Sequence, residues 1–255
     1  MSVLEQFSLA GRRALVTGAS RGLGQAMAEG LAAAGADIVC ASSKPNGAAD
    51  TATAIRDLGR DAWTVHADLA DREQLFAMAA EAEQLAGRID ILVNNGGSIA
   101  RHAATDFPAA EWDRVLSTNL DAVWLLSQHF GRGMVERRSG KIINVASLLS
   151  FSGGVTVPAY TASKHAVAGV TKALANEWAK HNVQVNAIAP GYFDTDNTQR
   201  LRDDPQRFAE INARIPAGRW GDPPDLAGAA VFLASAASNY VNGHVLVVDG
   251  GWMAR

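Results

Sequence analysis

Residues 12–35 read RRALVTGASRGLGQAMAEGLAAAG. The first seven form a short apolar run, the last twelve carry a helical pattern that Gly35 stops, and a glycine-rich turn joins them. Thr17-Gly18 closes the run, and Gly22 and Gly24 follow in a TGxxxGxG spacing. Glycine at such a turn permits positive φ and lets the backbone approach a ligand with no Cβ in the way. The helix opening there aims unpaired N–H groups and the positive end of its dipole at an anion such as a diphosphate.

The same alternation continues along the chain. Further apolar runs are DIVCAS (37–42), AWTVHA (62–67), IDILVNN (89–95), KIINVAS (141–147), VQVNAIAP (183–190) and HVLVVDG (244–250). Most are continuously apolar rather than alternating, as strands buried on both faces require. Helical segments lie between them: 72–87 behind Asp71 and Gln74, a capping-box pair, and about 111–135. The pattern predicts an α/β fold: a doubly wound parallel sheet of Rossmann type, about seven strands, with helices on both faces. No linker-like tract interrupts 1–255, so a single domain is expected, with the segment around 191–220 as a mobile lid.

The totals exclude several classes. Net charge is −3 with acids and bases interspersed, which leaves no basic footprint for nucleic acid. Cys40 is the only cysteine, so no internal disulfide forms and a reducing compartment is expected. The first residues lack the basic-then-apolar order of a signal peptide, and no run approaches the ~20 apolar residues of a membrane span. A soluble cytoplasmic protein is the expectation. The six histidines have no HExxH or CxxC partners, and DTDN, with Asp194 and Asp196, lacks the EF-hand pattern, so no metal site is expected.

Doubly wound sheets bind ligands beyond the carboxyl ends of their strands, and unusual residues gather there. The first end holds Gly18, Ser20, Arg21, Gly22, Leu23 and Gly24. At the second, where an acid would select NAD, stand Ser42, Ser43 and Lys44. These tolerate a 2′-phosphate, and Arg21 can reach the same group, which favours NADP(H) over NAD(H). Past the third strand, Asp68 can accept from an adenine amine, with Leu69 beside it. After the fourth, Asn94 can brace neighbouring strand ends, while Asn95, Gly96 and Gly97 leave room for a cofactor. Asn119 falls inside a helix, where its amide competes for backbone groups. Ser147 follows the fifth strand; Pro190, Gly191, Phe193 and Thr195 follow or end the sixth.

The stretch AYTASKHA (159–166) puts Tyr160 one helical turn before Lys164, behind a helix start at Pro158. Bringing a phenol from ~10 to ~7 takes about 4 kcal/mol. One ammonium ~4 Å away supplies roughly that at an effective dielectric of ~20.

TGASRGLG, NNGG, Asn119, Ser147 and YTASK, in this order across one chain, resemble the short-chain dehydrogenase/reductase family. The resemblance covers essentially all residues, including IAPGYFDT and VDGGW; Gly96 departs from the family's usual alanine. It implies NAD(P)(H)-dependent hydride transfer with Tyr160 as general acid/base and Lys164 as its electrostatic partner, bonded also to the nicotinamide ribose. Ser147 would hydrogen-bond the reacting oxygen, and Asn119 would hold a water leading from Lys164 to solvent.

The C-terminal half, in SLLSFSGG, NTQRLR, RIPAGRWG and GGWMAR, looks like the bacterial 2-deoxy-gluconate 3-dehydrogenases and 2-dehydro-3-deoxy-gluconate 5-dehydrogenases, a generally NAD-linked branch. The implied substrate is a small sugar acid. Ser98, Arg101, His102, Leu149, Tyr192 and the segment 193–200 are its candidate contacts, along with Ser147 and Tyr160. Arg101 is the choice for its carboxylate, because a planar fork fits that group. Helices carrying Trp112, Trp124 and Trp178 pair between subunits in this family, which implies a homotetramer. Alternative readings are a 3-oxoacyl-thioester or general ketone reductase and a nicotinamide-binding regulator without turnover.

Overall fold

Each apolar run becomes a strand in the computed structural model, which describes residues 2–255. Among the described residues the strands are β1 (Arg13–Thr17), β2 (Asp37–Ser42), β3 (Ala62–His66), β4 (Ile91–Asn94), β5 (Gly140–Val145), β6 (Val183–Pro190) and β7 (Val245–Val248). They form one parallel sheet in the order β3-β2-β1-β4-β5-β6-β7. The order reverses between β1 and β4, and a crevice opens at their carboxyl ends.

The crossovers are α1 (Gly22–Ala33), α2 (Ala49–Asp57), α3 (Arg72–Ala86), α4 (Ala109–Leu116) with α5 (Ala122–Glu136), and α6 (Pro158–Trp178). Two short helices, α7 (Gln199–Arg202) and α8 (Pro205–Arg214), lie between β6 and α9 (Ala227–Ala234). Successive strand residues point to opposite faces, and both faces are covered. Val16, Ile38 and Ile91 pack with Met27 and Leu31 of α1 and Leu233 of α9. Leu15, Val39 and Leu92 pack with Leu75, Met78, Leu126, Phe130 and Leu174 of α3, α5 and α6. This two-sided burial is why the strands read as unbroken apolar runs.

Two helix details differ from the sequence pattern. Asp71 caps α3 by accepting from the Glu73 and Gln74 amides, but Gln74 does not close a capping box; its Oε1 accepts from the Asp68 N–H at 3.1 Å. The predicted helix 111–135 runs from Ala109 to Glu136 and contains a π-helical turn at Ser117–Asp121. No helix among the described residues is long and apolar enough to cross a membrane.

Candidate active site

The glycine turn after β1 is held from within. Gly18 and Gly22 have φ of 65° and 57°, and a Cβ on Gly24 would collide with the Gly18 carbonyl oxygen. Asn95 locks the turn from β4: its Nδ2 donates to the carbonyls of Thr17 (2.9 Å) and Gly18 (3.2 Å). Thr17 Oγ1 accepts in return from the amides of Asn95 and Gly96 at 3.0 and 2.9 Å. Asn94, one residue earlier, braces the sheet by donating to Asn144 Oδ1 at 2.9 Å and Ser127 Oγ at 3.1 Å.

A groove of about 540 Å³ runs along these strand ends, a size that suits a cofactor. Its walls bring together the glycine-turn residues, Ser42, Ser43, Asp68, Leu69, Asn95, Gly96, Gly97, Ser98 and Thr195. Arg21 N-caps α1 without a side-chain acceptor, so the first amides of that helix stay open toward the groove. Uncapped helical N–H groups lining a long groove fit the diphosphate of a dinucleotide. Asp68 is half-buried, its Oδ1 accepting from the Ala70 amide and its own N–H held by Gln74.

Lys44 is exposed and stands just beyond Ser42 and Ser43, which line the groove. The Ser42 hydroxyl donates to the Lys44 carbonyl at 2.8 Å, which turns the chain back at that point and occupies the serine. Arg114 and Thr118 also line the groove, without having stood out in the sequence, as does Asp196 of the segment 193–200. Arg114 and Thr118 sit four residues apart on one helix, one turn before and beside Asn119, a spacing that could have pointed to them.

Ser147, Tyr160 and Lys164 come together beyond β5. Ser147 Oγ accepts from the Leu149 amide at 3.1 Å, which leaves its O–H free to donate. Lys164 is buried, and its Nζ donates to the Val145 carbonyl at 2.6 Å while lying 5.6 Å from the centre of the Tyr160 ring. Burial pushes the Tyr160 phenol above its ordinary range; a hydrogen bond with Ser147 and the charge of Arg101 pull it back down. Burial also brings the Lys164 ammonium down, to about 8. The pairing arithmetic of the sequence therefore needs correction. It counts the attraction of one ammonium and omits desolvation, which disfavours both charged forms here.

Asn119 braces the loop after β4. Its side chain is fully buried; Oδ1 accepts from the Ser98 N–H at 2.8 Å, and Nδ2 donates to the Ser98 carbonyl at 2.9 Å and Ser163 Oγ at 3.1 Å. Both N–H donors of the amide are thereby engaged, and Oδ1 keeps one further acceptor site. Around the substrate side, Arg101 reaches toward the Asn197 carbonyl at 3.5 Å. Leu149 is half-buried. The His102 ring is exposed and packs edge-on against Phe107, 5.4 Å away. Tyr192 does not line the groove: its ring packs against Trp220 (5.3 Å) and Trp252 (4.7 Å), and Phe193 is buried beside Gly221. Pro190 ends β6, and the Gly191 amide donates to the Val248 carbonyl at 2.9 Å.

Likeness to known proteins follows the same lines. The family model described as enoyl-(acyl carrier protein) reductase matches residues 18–253. The 2-dehydro-3-deoxy-D-gluconate 5-dehydrogenase of Bacillus subtilis (strain 168) is 53% identical over 251 residues, 98% of each chain. A crystal structure from Beutenbergia cavernae, described as an NAD(P) dependent gluconate 5-dehydrogenase with bound NADP at low occupancy, is 54% identical. It superimposes with a TM-score of 0.94, covering 98% of this chain and all of that one. A gluconate 5-dehydrogenase from Burkholderia cenocepacia J2315, in complex with NADP and tartrate, is 43% identical with a TM-score of 0.95 over the whole of both chains.

Proposed function

This chain belongs to the short-chain dehydrogenase/reductase family, and we propose that it interconverts a hydroxyl and a keto group on a small sugar acid of the gluconate type. It is an NAD(P)-dependent oxidoreductase acting on CH–OH groups. The observation that carries the substrate class is the 53% identity, spread over 98% of both chains, to a 2-dehydro-3-deoxy-D-gluconate 5-dehydrogenase.

Gly18, Ser20, Gly22, Leu23 and Gly24 would hold the diphosphate, with Asp68, Leu69, Gly96 and Gly97 around the adenosine. A bound nicotinamide supplies or accepts the hydride. In the reductive direction Tyr160 Oη delivers its proton to the substrate oxygen as negative charge develops there; in the oxidative direction the phenolate takes the hydroxyl proton. Ser147 Oγ, with its acceptor side held by Leu149 N–H, donates to the same oxygen. Lys164 remains largely protonated below its pKa of about 8 and has further N–H donors beyond the bond to Val145 for the nicotinamide ribose. Arg101 pairs the substrate carboxylate and, in the same position, favours the phenolate of Tyr160. Asn119 fixes the loop at Ser98 that borders this pocket.

NADP(H) is the favoured cofactor: no acid lines the end of β2, Arg21 lines the groove, and two similar structures carry NADP. The segment 191–220 acts as the lid. Trp112 and Trp124, 37% and 41% exposed, offer apolar surface for a homotetramer, and a cytoplasmic setting suits a single buried thiol. The test is turnover of keto sugar acids, simple ketones and 3-oxoacyl thioesters with NADH and NADPH separately. Sugar-acid turnover with NADPH is expected. Turnover of thioesters alone would move the chain to the acyl reductases.

A further inference from the structure

Arg21 is not free in the groove. Its Nε lies 3.0 Å from Asp196 Oδ2, an ion pair joining the glycine turn to the first residues of the lid. The lid is internally organised at that point. Thr195 and Thr198 form a capping box, and Asp194 is held by Arg202 at 2.7 Å. At residues 195–197 this segment meets the groove through the approach of Thr195 to Gly22 and through two arginines: Arg21 at Asp196 and Arg101 at the Asn197 carbonyl. Both are cations that the anionic groups of the ligands would recruit.

We propose that Asp196 is a cofactor-selectivity residue that acts through Arg21. Its carboxylate holds the Nε edge of the guanidinium and so places a negative charge on the cation that a 2′-phosphate would recruit. A 2′-phosphate must draw Arg21 off the lid or share it against a like charge; a 2′-hydroxyl asks for neither. Binding of a 2′-phosphorylated dinucleotide thus competes with lid fastening at Asp196, whereas a dinucleotide without that phosphate leaves the fastening intact. The pair is exposed, 75% and 67% for the two side chains, so its hold is the modest one of a surface ion pair. This inference rests on the reading that Arg21 meets the 2′-phosphate.

The experiment measures binding of 2′,5′-ADP and 5′-AMP to the full chain and to Asp196→Asn and Arg21→Gln by calorimetry, at low and high salt. Both sites are exposed, so circular dichroism should show unaltered folds. Asp196→Asn is expected to tighten 2′,5′-ADP about two- to fivefold, leave 5′-AMP unchanged, and lose this advantage at high salt. Arg21→Gln should weaken 2′,5′-ADP alone. If Arg21→Gln has no such effect, the Arg21 reading and the inference fall together. If it does while Asp196→Asn changes nothing, weakens 2′,5′-ADP, or tightens both ligands equally, only the role of Asp196 is overturned.

Discussion

Asn119 holds the main chain of Ser98 at both its polar ends, accepting from its N–H at 2.8 Å and donating to its carbonyl at 2.9 Å. A side-chain amide is the group that can do both, because it carries a donor and an acceptor side by side. The pairing fastens the loop after β4 to the helix in front of it. Replacing Asn119 by Ala removes its three hydrogen bonds to the half-buried Ser98 main chain and to Ser163, worth about 0.5–1.5 kcal/mol each. Asn119→Ala should therefore lower the unfolding free energy by roughly 2–4 kcal/mol in urea titrations. Its KM for substrate should rise as the Ser98 loop loosens.

Tyr160→Phe removes the hydroxyl proposed as proton donor and little volume. The expected loss in kcat is about 10²- to 10⁴-fold, the usual worth of a positioned acid or base. Cofactor titration by fluorescence should give an affinity within about twofold of the parent. An unchanged reduction rate would remove Tyr160 from the chemistry.

Arg101→Gln separates substrate recognition from catalysis. If its guanidinium pairs a carboxylate, KM for a sugar acid should rise at least about tenfold, the scale of one charge-assisted fork. A neutral hydroxyketone should show little change in KM. Equal losses with both substrates would assign Arg101 to the lid or to Tyr160 instead.

Lys141 sets a pH dependence of stability. It is buried at the amino end of β5, donating to Asn239 Oδ1 at 2.9 Å and Ser238 Oγ at 3.2 Å, and burial followed by the charge of Arg12 brings it down to about 8. Its folded pKa is below the ordinary lysine value, so the unfolded chain binds more protons between about 8 and 10.5, and stability rises with pH through that window. Tyr160 works oppositely once the unfolded phenol ionises near ~10, so the comparison belongs below that pH. From pH 7 to 9.5, the parent should gain about 2 kcal/mol relative to Lys141→Gln. A pH-independent difference would mean that Lys141 is not desolvated.

Gly24→Ala tests the glycine turn. The added methyl would strike the Gly18 carbonyl oxygen and come within 2.5 Å of Asn95 Nδ2, neither of which can retreat without breaking the turn. Cofactor affinity should fall by at least about two orders of magnitude, near 2.7 kcal/mol. Gly96→Ala should be mild by comparison, because its methyl meets mainly the end of the Leu69 side chain.

The legible part of this molecule was whatever leaves a local trace. Short apolar runs marked all seven strands, most of them unbroken because both sheet faces are covered, and glycines marked the turn because the backbone approaches itself there. The path of Lys44 left no such trace: a hydroxyl reaching two residues ahead decides it. Arg21 and Asp196 meet only after the chain has laid down six strands, so their pairing depends on topology rather than on neighbours in sequence. Nor does spacing reveal how dry the surroundings of Tyr160 and Lys164 are, although desolvation is the largest influence on both.

The π-helical turn at Ser117–Asp121 has a consequence for the outside of the molecule. Trp112 and Trp124 stand twelve positions apart, which in an unbroken α-helix of ~100° per residue would point them about 120° away from each other. A π turn absorbs one residue, and eleven effective steps bring the two azimuths to within about 20°. Both indoles then share one stripe of exposed surface while Asn119 keeps its inward position. A single widened turn thus serves as a phase shifter, letting one rod fasten the floor of a pocket and present an aligned aromatic edge to whatever meets it from outside.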